Sequence, residues 1–181
     1  MKNISLAMLL TAFVSVPAVA GDMYLGGKLG FADYNYSPIS NNSQFAPGIF
    51  GGYNINNSFA VEAEYTDLGG FDTVSRIYKG SAFGVSGVYS YHFNDTYSLS
   101  GKLGLASTSL EATPQAGYPL TGVTSYDKTG LTIGVRGQYE ATPAIGIRAG
   151  IDIYAVDASY SGGVSTAGGA AVVSVGGVFK F

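Results

Sequence analysis

The chain has 181 residues, 46% apolar and only 12% charged, with 27 glycines, 14 tyrosines, 10 phenylalanines, no tryptophan and no cysteine. That is the length of about one domain; so little charge beside so much apolar content excludes a disordered chain, and the missing Cys excludes disulfide scaffolds, thiol nucleophiles and cysteine metal sites. Nine Lys and Arg against twelve Asp and Glu leave no basic excess to attract nucleic acid, and beyond residue 20 no apolar run approaches the ~18 residues of a membrane helix.

Met1-Lys2-Asn3 supplies a positive start, Ile4 to Val16 an almost uncharged apolar core, and Ala18-Val19-Ala20 a small-x-small cleavage site. This pattern predicts a secretory signal peptide over residues 1–20 and a mature domain over 21–181. An N-terminal membrane anchor fits less well, because the apolar core is shorter than a ~20-residue span and ends at Pro17. The mature chain is expected to be exported, with eight basic against twelve acidic residues.

Period-two alternation then recurs in eight stretches, as strands require. The first sets Met23, Leu25, Leu29 and Phe31 against Tyr24, Lys28 and Ala32, with glycines on both faces. The second sets Ile49, Tyr53 and Ile55 against Phe50 and Asn54, and the third Phe59, Val61, Ala63 and Tyr65 against Ala60, Glu62, Glu64 and Thr66. Stretches 83–92, 97–106, 131–139, 145–153 and 171–181 repeat the pattern, and no charge falls on the apolar face of any of them.

The connections alternate as well. Asn54 to Ser58, Asn94 to Thr96 and Glu140 to Ala144 are tight turns, whereas 33–44, 67–79, 107–128 and 155–168 read as long polar loops rich in Gly, Ser and Thr. Short turns at one end, long loops at the other and an even strand count describe an all-β, eight-stranded, antiparallel, up-and-down transmembrane β-barrel with both termini in the periplasm. Stretches of about ten residues are long enough to cross a bilayer at a tilt.

A soluble calyx of the lipocalin kind alternates as strictly, and polarity decides between the two. A calyx presents its charged face to water, so each strand should carry several Lys or Glu there. Here the polar face is mostly Gly, Ser and Ala with isolated charges, which suits a narrow lumen packed by its own side chains. Tyr53, Phe59, Tyr65, Tyr91, Tyr97, Tyr139, Phe179 and Phe181 lie at strand ends, many beside the short turns, as an interfacial girdle would.

Tyr24-Leu25-Gly26-Gly27-Lys28-Leu29-Gly30-Phe31 resembles the first strand of the OmpA-type transmembrane barrel, and Phe50-Gly51-Gly52-Tyr53-Asn54-Ile55-Asn56 its second strand and first turn. Glu62 with Tyr65, Leu68 and Gly69 looks like the third strand. Arg148 beyond the Thr142-Pro143 turn and the terminal Val178-Phe179-Lys180-Phe181 complete a resemblance that covers the mature chain. It implies a surface protein that contributes to envelope integrity and, through four extracellular loops, to adhesion or host interaction, with outer-membrane lipid and lipopolysaccharide around it. It also implies that Phe179 and Phe181 are a periplasmic signal for the barrel-assembly machinery. Full-length OmpA-type proteins continue into a peptidoglycan-binding domain; this chain stops at Phe181, so wall anchoring is not expected, and the small opacity and attachment-invasion proteins are the closer comparison. Gln138 stands where the family pattern can carry an acid, which weakens any ion-pair switch at that position.

Lys28, Glu62, Glu64, Lys102, Arg136, Arg148 and Asp152 all have lumen parity. Buried charges must be paired, and Lys28 and Arg148 are the expected partners of Glu62, Glu64 and Asp152. A closed network that fills the lumen is preferred to a charged gate or a low-conductance pore for small solutes, because eight strands leave little bore. Catalysis would need a base beside a nucleophile at the loop end, but the single histidine, His92, precedes the Asn94-Asp95 turn at the other end; no enzyme activity is expected. One His and no Cys likewise predict no metal and no cofactor. Asp33, Asp67, Asp72, Glu111, Asp127 and Asp157 outnumber Arg76, Lys79 and Lys128 in the loops, against nucleic-acid or heparin-like ligands. Tyr34, Tyr36, Phe45, Phe71, Tyr78, Tyr118, Tyr126 and Tyr160 either meet a protein or glycan partner or order the loops. A closed barrel has no open edge, and a monomer is expected.

Overall fold

Strict alternation leaves each strand with one oily and one polar face, and the chain resolves this by closing a sheet on itself with the oily face outward. The computed structural model describes residues 22–34, 43–72, 76–114, 124–159 and 165–181; the signal peptide expected over 1–20 lies outside them. The strands are β1 (Met23–Tyr34), β2 (Gln44–Phe45), β3 (Gly48–Asn54), β4 (Phe59–Asp72), β5 (Arg76–His92), β6 (Tyr97–Pro114), β7 (Thr124–Glu140), β8 (Ile145–Ser159) and β9 (Ser165–Lys180). β2 and β3 both pair with β1 and together make one stave, broken at Ala46-Pro47. Successive strands pair antiparallel, and β1 closes on β9 from Tyr24↔Lys180 to Tyr34↔Ala170. Eight staves therefore form a ring with no free edge through its middle.

Exposure follows parity. Leu25, Leu29, Phe31, Ile49, Val61, Val85, Leu103, Leu131, Val135, Ile151 and Val175 are all exposed, while Lys28, Glu62, Glu64, Lys102, Arg136 and Asp152 are buried. On β6 the apolar belt runs from Tyr97 to Leu105, about 20 Å of height at ~3.3 Å per residue and a ~40° tilt, which with its rings approaches the ~25 Å band of outer-membrane barrels. Aromatic pairs edge it at the short-turn end: Phe59–Tyr89, Tyr91–Phe93 and Tyr97–Tyr139 have centroids 5.0, 5.2 and 5.3 Å apart.

The long loops are a correction. Most of 67–79, 107–128 and 155–168 is strand, and β6 and β7 stay paired up to Ala112↔Thr124, well above the belt. These segments carry Ser and Thr on both faces, so no apolar alternation marks them, yet the backbone ladder continues because it needs no oily face once the wall has left the membrane. Asp33, Asp67, Asp72, Arg76, Lys79, Glu111, Asp127, Lys128 and Asp157 are thus strand residues, as are Tyr34, Phe45, Phe71, Tyr78 and Tyr126. Tyr36, Tyr118 and Tyr160 lie outside the described residues.

The three short turns share one device. Asn56 Oδ1 accepts from the Ser58 and Phe59 amides at 2.8 and 2.9 Å, Asn94 Oδ1 from Thr96 and Tyr97 at 2.9 and 2.8 Å, and Thr142 Oγ1 from Ala144 and Ile145 at 3.3 and 3.0 Å. Each side chain stands in for a missing strand carbonyl. Asn94→Ala should therefore cost about 1 kcal/mol in urea unfolding, and Asn94→Asp, which keeps the acceptor, much less.

Candidate functional site

The lumen is built from alternate residues of all eight staves. Its large side chains fit because a glycine often stands on the neighbouring strand: Lys28 lies in register with Gly48 and Gly176, Arg136 with Gly150, and Asp152 with Gly134. A Cβ at Gly48 would come within 2.9 Å of Lys28 Cε, and one at Gly150 within 2.7 Å of Arg136 Cγ. The glycines of the polar face are thus the space into which the charges fold.

The structure brings all seven sequence-predicted lumen charges into one cluster. Glu62 accepts from Arg136 Nη1 at 2.5 Å and Arg148 Nη1 at 2.7 Å. Glu64 meets Lys28 at 3.0 Å, Lys102 at 3.2 Å and Arg136 at 3.1 Å. Asp152 meets Lys28 at 3.0 Å, Lys102 at 2.8 Å and Arg136 at 3.3 Å. Arg136 therefore touches all three carboxylates, although only Lys28 and Arg148 were expected as their partners. Four cations against three carboxylates leave the layer formally at +1.

Two tyrosines that sequence reasoning did not single out complete it. Tyr24 Oη donates to Glu62 at 2.9 Å, and Tyr154 Oη donates to Glu64. The Tyr154 ring also lies 5.9 Å from the Lys28 ammonium and 5.4 Å from that of Lys102, and the Arg148 guanidinium sits 5.2 Å from the Tyr24 centroid and 4.6 Å from that of Phe50. Tyr154 shares the parity of Arg148 and Asp152 but falls one residue beyond the alternating stretch 145–153. Gln138 takes part in the cluster's margin: its Oε1 accepts from Arg148 Nε at 2.9 Å and its Nε2 donates to Glu140 at 2.6 Å, beside the 2.6 Å Lys180–Glu140 pair.

An apolar lid covers the cluster at each end. Towards the short turns it is Tyr24, Phe50, Ala60, Val88 and Val178; towards the long-strand end it is Ala32, Ala46, Leu68, Ala82, Ala106, Tyr154, Ala170 and Val172, all buried. Between them a void of about 10 Å³ beside Lys28, Arg136, Arg148 and Asp152 is room for about one water.

Residues 4–179 match the model of the outer membrane protein β-barrel domain. The chain belongs to that family. Solved structures show the same fold. Neisserial surface protein A is 20% identical with a TM-score of 0.69, over 88% of this chain and 97% of that one. Ail, the attachment invasion locus protein of Yersinia pestis, is 16% identical at a TM-score of 0.62, over 90% and 100%. OprG of Pseudomonas aeruginosa is 14% identical at 0.63, over 90% and 96%. No curated protein matches in sequence.

In this outer-membrane barrel the exposed belt is the lipid-facing surface. His92 is exposed at the end of β5, beside the short turn, far from the long-strand end. Phe179 and Phe181 are exposed at the end of the last stave, with their rings 5.1 Å apart edge to face.

Proposed function

We propose that this protein is a non-enzymatic, OmpA-like surface component of the outer membrane. It contributes to envelope integrity as a closed, monomeric barrel and meets adhesion or host partners through its extracellular end. The observation that carries this reading is the layered lumen: among the described residues the charge cluster lies between two apolar layers, with a void beside it for about one water. Register is the second task we give the cluster, because a one-residue slip of β1, β4, β6, β7 or β8 would carry its charges into lipid. The rival, a low-conductance channel, needs a bore that the lids fill.

The orientation we infer puts the short turns, both termini and the Phe179/Phe181 assembly signal in the periplasm, and the tall β5–β9 wall outside, within the lipopolysaccharide leaflet. Ail has been crystallised with the heparin analogue sucrose octasulfate. For the present chain a polyanion fits poorly, since its outward positions above the belt include Asp33, Asp67, Glu111 and Asp127 against Lys79.

Planar-bilayer recording tests the closed lumen. The refolded protein should leave the baseline flat under applied voltage. Discrete conductance steps that change in Glu62→Gln would replace this reading with the channel.

A further inference from the structure

Beside the lumen charges the void is only about 10 Å³, but the outer wall has a concavity of about 570 Å³ on β4–β6, just above the belt. Its origin is a bulge. β4 slips register between Asp67 and Gly69, and Gly69 adopts φ +71°, where an added Cβ would strike Gln44 Cβ at 2.7 Å. After the bulge, Gly70 pairs with Lys79 and offers no side chain to the outward row. The wall is hollow at that point.

What surrounds the hollow is ordered by register. One outward row is Asp67, Ser81 and Ser109; the next is Gly70, Lys79 and Glu111. Tyr65, the last ring of the belt on β4, borders it below in register with Phe83. Five polar side chains thus converge over two rows of three strands, about 5 Å apart across strands and about 7 Å apart along them. Asp67 already accepts the Gly69 amide at 2.8 Å through Oδ1, which fixes its carboxylate at the hollow's edge.

From this geometry we infer that the hollow binds a saccharide, presented as the headgroup of a glycolipid in the outer leaflet. Sugar hydroxyls both donate and accept, and the rim supplies two carboxylates, an ammonium and two hydroxyls that do either. The Tyr65 ring offers a flat apolar edge for the C–H face of a sugar. Two carboxylates against one ammonium give the rim a net charge of −1, which disfavours a phosphate and favours neutral hydroxyls. The volume lies within the ~300–1,000 Å³ of small-ligand sites. The hollow opens sideways at the belt's upper edge, the level of headgroups, so the anchored source is preferred to a sugar arriving from solution. The assignment of this edge to the outer leaflet rests on the orientation proposed above.

The test uses the full barrel in phosphatidylcholine nanodiscs, titrated with lipid A, with dephosphorylated lipid A and with free glucosamine disaccharide, and read by amide chemical shifts. Dephosphorylated lipid A should move the Ser81, Ser109 and Glu111 amides, and Ser109→Trp, an exterior substitution that fills the hollow, should weaken its binding at least tenfold. Ala171→Trp, outward on β9 and four staves from β5, should leave it within twofold. Spectra of both variants without ligand establish that each has folded. Free disaccharide binding as tightly as the glycolipid would overturn the membrane source, and response to lipid A alone would overturn sugar recognition. In a symmetric nanodisc both rims meet glycolipid whichever way the barrel faces, so shifts at Asn94 and Tyr97 instead would overturn the hollow as the site, while protease cleavage at the short turns on intact cells would separately overturn the orientation. Silence at both rims would overturn the site while leaving the orientation standing.

Discussion

Glu62→Ala is expected to remove about 3–5 kcal/mol of unfolding free energy, because it takes the lumen carboxylate from Arg148 and one of three from buried Arg136 while leaving both guanidiniums in place. Arg136 and Arg148 lie 2.5 and 2.7 Å from its two oxygens, and the Tyr24 hydroxyl donates to it at 2.9 Å. The layer would pass from a formal +1 to +2 with no solvent to screen it. Arg136 keeps Glu64 and Asp152, so the orphan is Arg148, and Glu62→Leu with Arg148→Met should recover most of the loss. Urea titration of the barrel in lipid vesicles, followed by gel mobility of unboiled samples, measures both. A single-variant loss under about 1 kcal/mol would mean that water already reaches the cluster.

Leu103→Arg tests the opposite face. Leu103 is 61% exposed in mid-belt, and in a bilayer the charge should cost about 2–4 kcal/mol. Lys102, its neighbour, carries the same charge at 5% exposure, because it turns inward to Glu64 and Asp152 at 3.2 and 2.8 Å. Two adjacent residues thus have opposite tolerances, set by parity alone. Ser107→Arg, outward but above Leu105, should cost no more than about 1 kcal/mol by the same assay. Equal costs at 103 and 107 would contradict the placement of the belt.

These two faces were the legible part of the sequence. The odd-numbered apolar residues of all eight stretches face outward, and the three short turns can be recognised from Asn56, Asn94 and Thr142. The wall above the belt was not legible. Segments such as Thr108–Ala112 and Thr124–Thr129 have no oily face to alternate, and only their partners across the ladder make them strands. Within the lumen, parity placed every charge correctly. It could not say that Arg136 reaches three carboxylates at once, since that depends on glycines of other strands yielding space. Nor could it reveal the lids: Leu68, Ala82 and Val172 are ordinary small apolar residues until the barrel brings them level with Tyr154.

The central claim is inside-out polarity, with lipid against the odd-numbered face and a dry, sealed interior. The chain contains no tryptophan, so Leu103→Trp and Phe50→Trp each give a single reporter, one on the belt and one in the lower lid. In vesicles of brominated phosphatidylcholine, Leu103→Trp fluorescence should be strongly quenched relative to unbrominated vesicles and Phe50→Trp scarcely changed. Strong quenching of Phe50→Trp with Leu103→Trp spared, or no quenching of either, would contradict the account.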